Sequence, residues 1–138
     1  LPCIDLPLSE MEKIHIRPFR EKADMIMVAH LHCTCFDKEV LPTSLSKNAV
    51  GYLRNEIGYE GVVISDDMVM KGVQDFGAVE ACVMAILAGV DMFIYRNADL
   101  DTIKVIEGVI AKAENNEALK RQILKANERI EALKKKYL

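Results

Sequence analysis

Gly61-Val62-Val63-Ile64-Ser65-Asp66-Asp67-Met68-Val69-Met70-Lys71-Gly72 is the stretch on which the reading of the fold depends. Residues 61–65 form a short apolar run, as expected of a strand buried in a parallel sheet. Two carboxylates follow at once. Adjacent acids repel, and the end of a buried strand is a costly place for them. The plain reading is that Asp67 caps the next turn and Asp66 is solvated. The functional reading is a nucleophile, a base or a metal ligand. Ligands of parallel α/β folds bind at the C-terminal ends of strands, so this pair is the first candidate site.

Working outward, residues 23–30 (ADMIMVAH) read as a strand covered on both faces, ending at His30, and residues 90–95 (VDMFIY) as a third, ending at Arg96 and Asn97. Helices fill the intervals. Ser46 caps one over residues 47–57, with Ala49, Val50, Leu53 and Ile57 on one face and Gly58 as its stop. Residues 79–88 form another, closed by Gly89. Asp99 caps a third over residues 100–113, expected to pack through Ile103, Ile106 and Ile110. The last, over residues 117–137, aligns Leu119, Ile123, Ile130, Leu133 and Tyr137. Ser9 and Glu12 have capping-box spacing, and Pro18 disfavours helix at Arg17, so the first helix is expected to be short.

Strands alternating with helices imply parallel pairing through right-handed crossovers. Three such strands would leave two apolar edges unpaired. Two completions remain open: a small doubly wound domain with one more strand, or about half of a (β/α)8 barrel, which needs roughly 200 residues or more.

The chain has 138 residues, a net charge of −3 and 51% hydrophobic residues, which suits one folded domain. The acidic balance argues against nucleic-acid binding, and no apolar run is long enough to span a membrane. Residue 1 is Leu, so the sequence reads as processed, trimmed or partial. Cys3, Cys33, Cys35 and Cys82 are expected to be free thiols in a reducing, cytoplasmic compartment. His30-Leu31-His32-Cys33-Thr34-Cys35 is the one metal-like cluster. An extended segment would face its histidines one way and its cysteines the other, so no metal is expected; nor is a cofactor. Asp91 is expected to pack or cap.

The stretch 61–72 resembles the nucleophile strand of family 3 glycoside hydrolases, the β-N-acetylhexosaminidase branch in particular. Leu1-Pro2, Pro18-Phe19, Met25-Ile26-Met27-Val28-Ala29-His30, Pro42-Thr43-Ser44-Leu45-Ser46, the segment 53–61 and the segment 80–92 agree with that family in order. The resemblance implies the C-terminal half of a (β/α)8 TIM barrel: about three parallel strands with flanking helices, over residues 1–138. It implies retaining hydrolysis of terminal β-linked N-acetylglucosamine, with Asp66 as nucleophile and His30, Asp67 and Met70 at the substrate. The acid/base His of that branch sits on a Gly-rich loop that this sequence does not contain, so the chain alone is expected to have little activity. The family carries a longer helix where this chain has Arg20-Glu21-Lys22, so an irregular first unit is expected. The expected partner is the missing N-terminal half or a second copy of the chain. The rivals are a non-catalytic, self-associating half-barrel and a receiver-like Mg²⁺-binding domain, which would need a further Asp and a Lys at other strand ends.

Overall fold

The computed structural model describes residues Leu1–Leu138. Three parallel strands form the main sheet: β2 (Met25–Val28), β4 (Val62–Asp67) and β5 (Met92–Ile94), with β4 in the centre. Met25 to Val28 pair in regular register with Val62 to Ser65. Against β5 the register slips by one residue, because Ile64 pairs with Met92 and Asp67 with Ile94. Two short strands escaped the sequence reading. Cys3–Ile4 (β1) and His32–Cys33 (β3) pair in parallel beside the main sheet. Two residues are too few to show any periodicity.

The crossovers are helical. Ser46 caps α2 (Lys47–Asn55) by accepting from Ala49 N–H at 3.0 Å, and Gly58 beyond it has φ 73°. A short α3 (Lys71–Gln74), also absent from the sequence reading, leads into α4 (Ala78–Ala88). Gly89 ends α4 at φ 113°, a conformation that strains residues with a Cβ. Asp99 caps α5 (Leu100–Glu114), and Asn116 caps α6 (Glu117–Tyr137).

The first unit is irregular, as the shortened segment at residues 20–22 suggested. Helix α1 (Leu8–Glu10) runs into a π-helical stretch, Met11–Ile16, and then a 3-10 helix, Arg17–Arg20. The expected capping box is absent: Pro7 stands at the N-cap and no side chain caps the helix. Arg17 is helical despite Pro18. The change of helix type there makes Pro18 a first-turn residue, where its missing N–H costs nothing.

The core lies between the sheet and its helices. Ile26, Val63, Val50, Leu53, Leu45, Ala85 and Val90 are its buried centre. A fully buried side chain such as Val63 or Leu45 contributes roughly 1.5–3 kcal/mol. The expectation that β2 is covered on both faces fails. Ile26 is buried, whereas Met25 is 38% and Met27 53% exposed. Helices cover one face of β2, and residues of opposite parity are left open to solvent. A doubly wound sheet would carry helices on both faces.

Helix α5 also turns differently from the expectation. Val105, Val109 and Ala113 pack inward, while Ile103, Ile106 and Ile110 are each at least half exposed. On α6, Leu119 is buried and Ile123 packs beside it, but Tyr137 is 63% exposed.

Candidate active site at the strand ends

Asp66 and Asp67 are the last two residues of β4, within the strand and not beyond it. The register slip explains the extra length. It inserts one residue of β4 where the carboxylates begin, and the ladder then resumes with Met68 N–H donating to the Ile94 carbonyl at 2.9 Å. Such bulges bend a strand and re-aim its side chains, and they recur beside active sites.

The two acids have different surroundings. The Asp67 carboxylate accepts from Val69 N–H at 3.1 Å and Arg96 N–H at 3.4 Å, and Arg96 Nε lies 3.6 Å from its other oxygen. Its carbonyl accepts from Met70 N–H at 3.0 Å and from His30 Nε2 at 3.1 Å. Asp67 therefore builds the turn that leaves the strand. Asp66 accepts one bond, from Asp67 N–H to Oδ1 at 2.8 Å. Its second oxygen has no protein donor, and the residue is partly exposed.

His30 is buried at 4% exposure, and both of its ring nitrogens have protein partners: Ser44 Oγ at 2.7 Å and the Asp67 carbonyl. Met70 is 41% exposed and opens α3. A hollow of ≈ 510 Å³ brings His30, Met70 and Arg96 together with Leu1 and Pro2. Asp66 and Asp67 are not among its lining residues.

The segment after His30 does not stay extended. Phe36 N–H bonds back to the Cys33 carbonyl at 3.1 Å, so Thr34 and Cys35 lie in a turn. No group of three or more His, Cys, Asp or Glu side chains gathers to hold a metal ion. Burial, reinforced by neighbouring Cys35 and Cys3, pushes the Cys33 thiol up to about 11.

Two features escaped the sequence reading. Ser44 is fully buried on the 3-10 turn Thr43–Leu45, far from any periodic pattern. Asp91 does more than pack or cap locally: its side chain, 1% exposed, receives Val63 N–H and Arg129 Nη1, each at 2.8 Å, and Arg54 Nη2. Burial is the main influence on Arg54 and lowers its pKa, while Asp91 opposes that shift. The available signal was an acid at the start of an apolar strand, which requires a buried partner.

Residues 1–133 match the family model for the glycosyl hydrolase family 3 N terminal domain. Beta-hexosaminidase A of Pseudoalteromonas piscicida is 29% identical over 99% of this chain and 27% of its own length. Beta-hexosaminidase of Actinobacillus pleuropneumoniae serotype 5b (strain L20) is 34% identical over 78% of this chain and 33% of its own length. Among solved structures, the family 3 β-N-acetylglucosaminidase from Paenibacillus sp. str. FPU-7 superposes with a TM-score of 0.85 at 29% identity, over 98% of this chain and 27% of that one. The β-N-acetylglucosaminidase from Thermotoga maritima gives 0.84 at 28% identity, over 96% and 31%. The chain thus spans about a quarter to a third of these relatives. The sheet and its helices are part of a barrel of the (β/α)8 type, as the resemblance implied. A match that runs over residues 1–133, almost from end to end, makes this chain a member of glycosyl hydrolase family 3, within the family's N-terminal domain.

Proposed function

We propose that the chain carries the nucleophile of a retaining β-N-acetylhexosaminidase, that Asp66 is this nucleophile, and that the substrate ends in β-linked N-acetylglucosamine. The carrying observation is the free oxygen of Asp66 at the C-terminal end of the central strand, beside a carboxylate wholly occupied by its turn. The names of the related hexosaminidases support the sugar.

In this reading the free oxygen of Asp66 bonds to the anomeric carbon as the bond from that carbon to the leaving oxygen breaks. The leaving oxygen takes the electron pair and a proton from a general acid. Water then attacks the same carbon, gives up a proton and releases the Asp66 carboxylate. His30 is a poor candidate for the acid, since both of its nitrogens are engaged. General acid catalysis is worth about 10²–10⁴-fold. Residues 1–138 alone are therefore expected to cleave ordinary glycosides slowly or not at all. His30, Asp67 and Met70 shape the substrate side of the site in this reading, with Asp67 and His30 acting through the turn.

We place the protein in the cytoplasm, where four unpaired thiols stay reduced. We also propose that another surface, the rest of a barrel or a second copy, covers the outer edge of the sheet and the exposed Ile103, Ile106 and Ile110.

An acidic phenol leaves without much acid help, so 2,4-dinitrophenyl β-N-acetylglucosaminide tests Asp66 directly. Slow dinitrophenolate release that disappears in Asp66→Ala is expected. Equal release by both proteins, or none by the wild type, removes Asp66 as nucleophile. Fast turnover of an alkyl glycoside would show that an acid lies within these residues after all.

A further inference from the structure

The turn that carries Asp66 is held from beneath by two residues that sequence separates widely. The 3-10 turn Thr43–Leu45 is buried and tied to the end of β2: Thr43 Oγ1 donates to the Ala29 carbonyl at 2.8 Å, and Thr43 N–H to the Leu31 carbonyl at 2.7 Å. This places Ser44 Oγ 2.7 Å from His30 Nδ1. The opposite nitrogen, Nε2, lies 3.1 Å from the Asp67 carbonyl. A carbonyl can only accept, so Nε2 must carry a proton. A neutral imidazole has one proton, so Nδ1 is bare and the Ser44 hydroxyl is its donor. Gly72 lies close against the root of the side chain: a Cβ there would lie 3.1 Å from His30 Cβ. His30 has little room to shift away.

We propose that Ser44 is a positioning residue for the nucleophile, acting through His30 on the main chain of Asp67. The Asp67 carbonyl, which can only accept, sets the imidazole tautomer; the Ser44 hydroxyl donates to Nδ1 and holds the ring in line, so that the Nε2 proton pins the Asp67 carbonyl and steadies the amide on which Asp66 Oδ1 rests. The free oxygen of Asp66 is thereby aimed. His30 then serves the reaction from behind the turn and needs no contact with the sugar. This inference rests on Asp66 being the nucleophile.

Two measurements on the 138-residue chain test it. Nitrogen-15 NMR of the His30 ring reads the tautomer. The wild type is expected to carry its proton on Nε2 with Nδ1 shifted by an accepted hydrogen bond, Ser44→Ala to lose that shift at Nδ1, and Ser44→Thr, which keeps the hydroxyl, to regain it. Dinitrophenolate release is expected to fall about 10- to 100-fold in Ser44→Ala with KM unchanged, the scale of a small misplacement of a reacting group, and to recover in Ser44→Thr. A wild-type His30 with its proton on Nδ1 overturns the relay, and needs no variant to fold. So does a Ser44→Ala protein with an unaltered Nδ1 shift and rate. If instead the ring nitrogens behave as expected but Asp66→Ala releases dinitrophenolate as fast as the wild type, the nucleophile reading falls, and the positioning role falls with it.

Discussion

Asp91 and Ser44 show how a single residue acquires a role that its neighbours in sequence do not announce. Asp91 ties the β4 main chain to a guanidinium from α2 and another from α6. Removing the carboxylate would strand Arg54, whose side chain is 12% exposed, without its counter-charge. Breaking a buried pair from one side costs about 3–5 kcal/mol. Asp91→Ala is therefore expected to lower the urea midpoint by that equivalent, and Arg129→Ala by less, because Arg129 is 26% exposed. Equal midpoints for wild type and Asp91→Ala would show that the network holds nothing. Asp66 and Asp67 were legible because acids after an apolar strand break the local pattern. Ser44 was not, because a Ser in a Pro-Thr-Ser turn is ordinary until folding brings His30 to it across fourteen residues.

Among the elements, the caps and stops at Ser46, Asp99, Gly58 and Gly89 followed the sequence, whereas the capping box at Ser9 and the helix faces did not. Ser46, Asp99, Gly58 and Gly89 act locally, so their roles can be read from a few residues. Helix α5 is apolar on two sides, and the sequence alone cannot say which side faces this core. The end of α6 is held by a local electrostatic contact that pH can release. Asp24 accepts from Lys136 and Tyr137, and these bonds hold its carboxyl below its usual range; the same contact raises Lys136. A carboxylate with a lowered folded pKa adds stability above its unfolded value, near 3.8, and loses it as pH falls through the folded one. The protection factor of amides in the last turn of α6 is thus expected to fall in acid, below the ordinary carboxylate range. Asp24→Asn should show that lower protection already at neutral pH. Protection that is the same at both pH values would show that Asp24 does not hold the helix.

Across the whole molecule, surface area is the informative quantity. The chain exposes 8634 Å² at 15.5 kDa, where a compact monomer of that mass exposes about 7,200 Å². The difference is larger than the roughly 800 Å² that one partner contributes to a standard interface. The bare face of β2 and the apolar groove between α5, β5 and α6 account for apolar parts of it, including Met27, Ile106 and Ile110. In sedimentation velocity the isolated chain is expected to associate with rising concentration, and Ile106→Glu to shift it towards monomer. A monomer at every concentration, with Ile106→Glu unchanged, would mean that this face is left bare.

Sequence by itself determined the alternating strands and helices, most of their caps and stops, and the acidic pair at the end of a buried strand. Each depends on period, on φ preference or on an abrupt change from apolar to charged within a few residues, which are local properties. Tertiary structure alone decided the register slip that draws both acids into β4, the face that α5 buries, and the partners of Ser44, His30 and Asp91. Those depend on which distant groups meet when apolar surface leaves water, and no short window of residues contains both sides of such a contact.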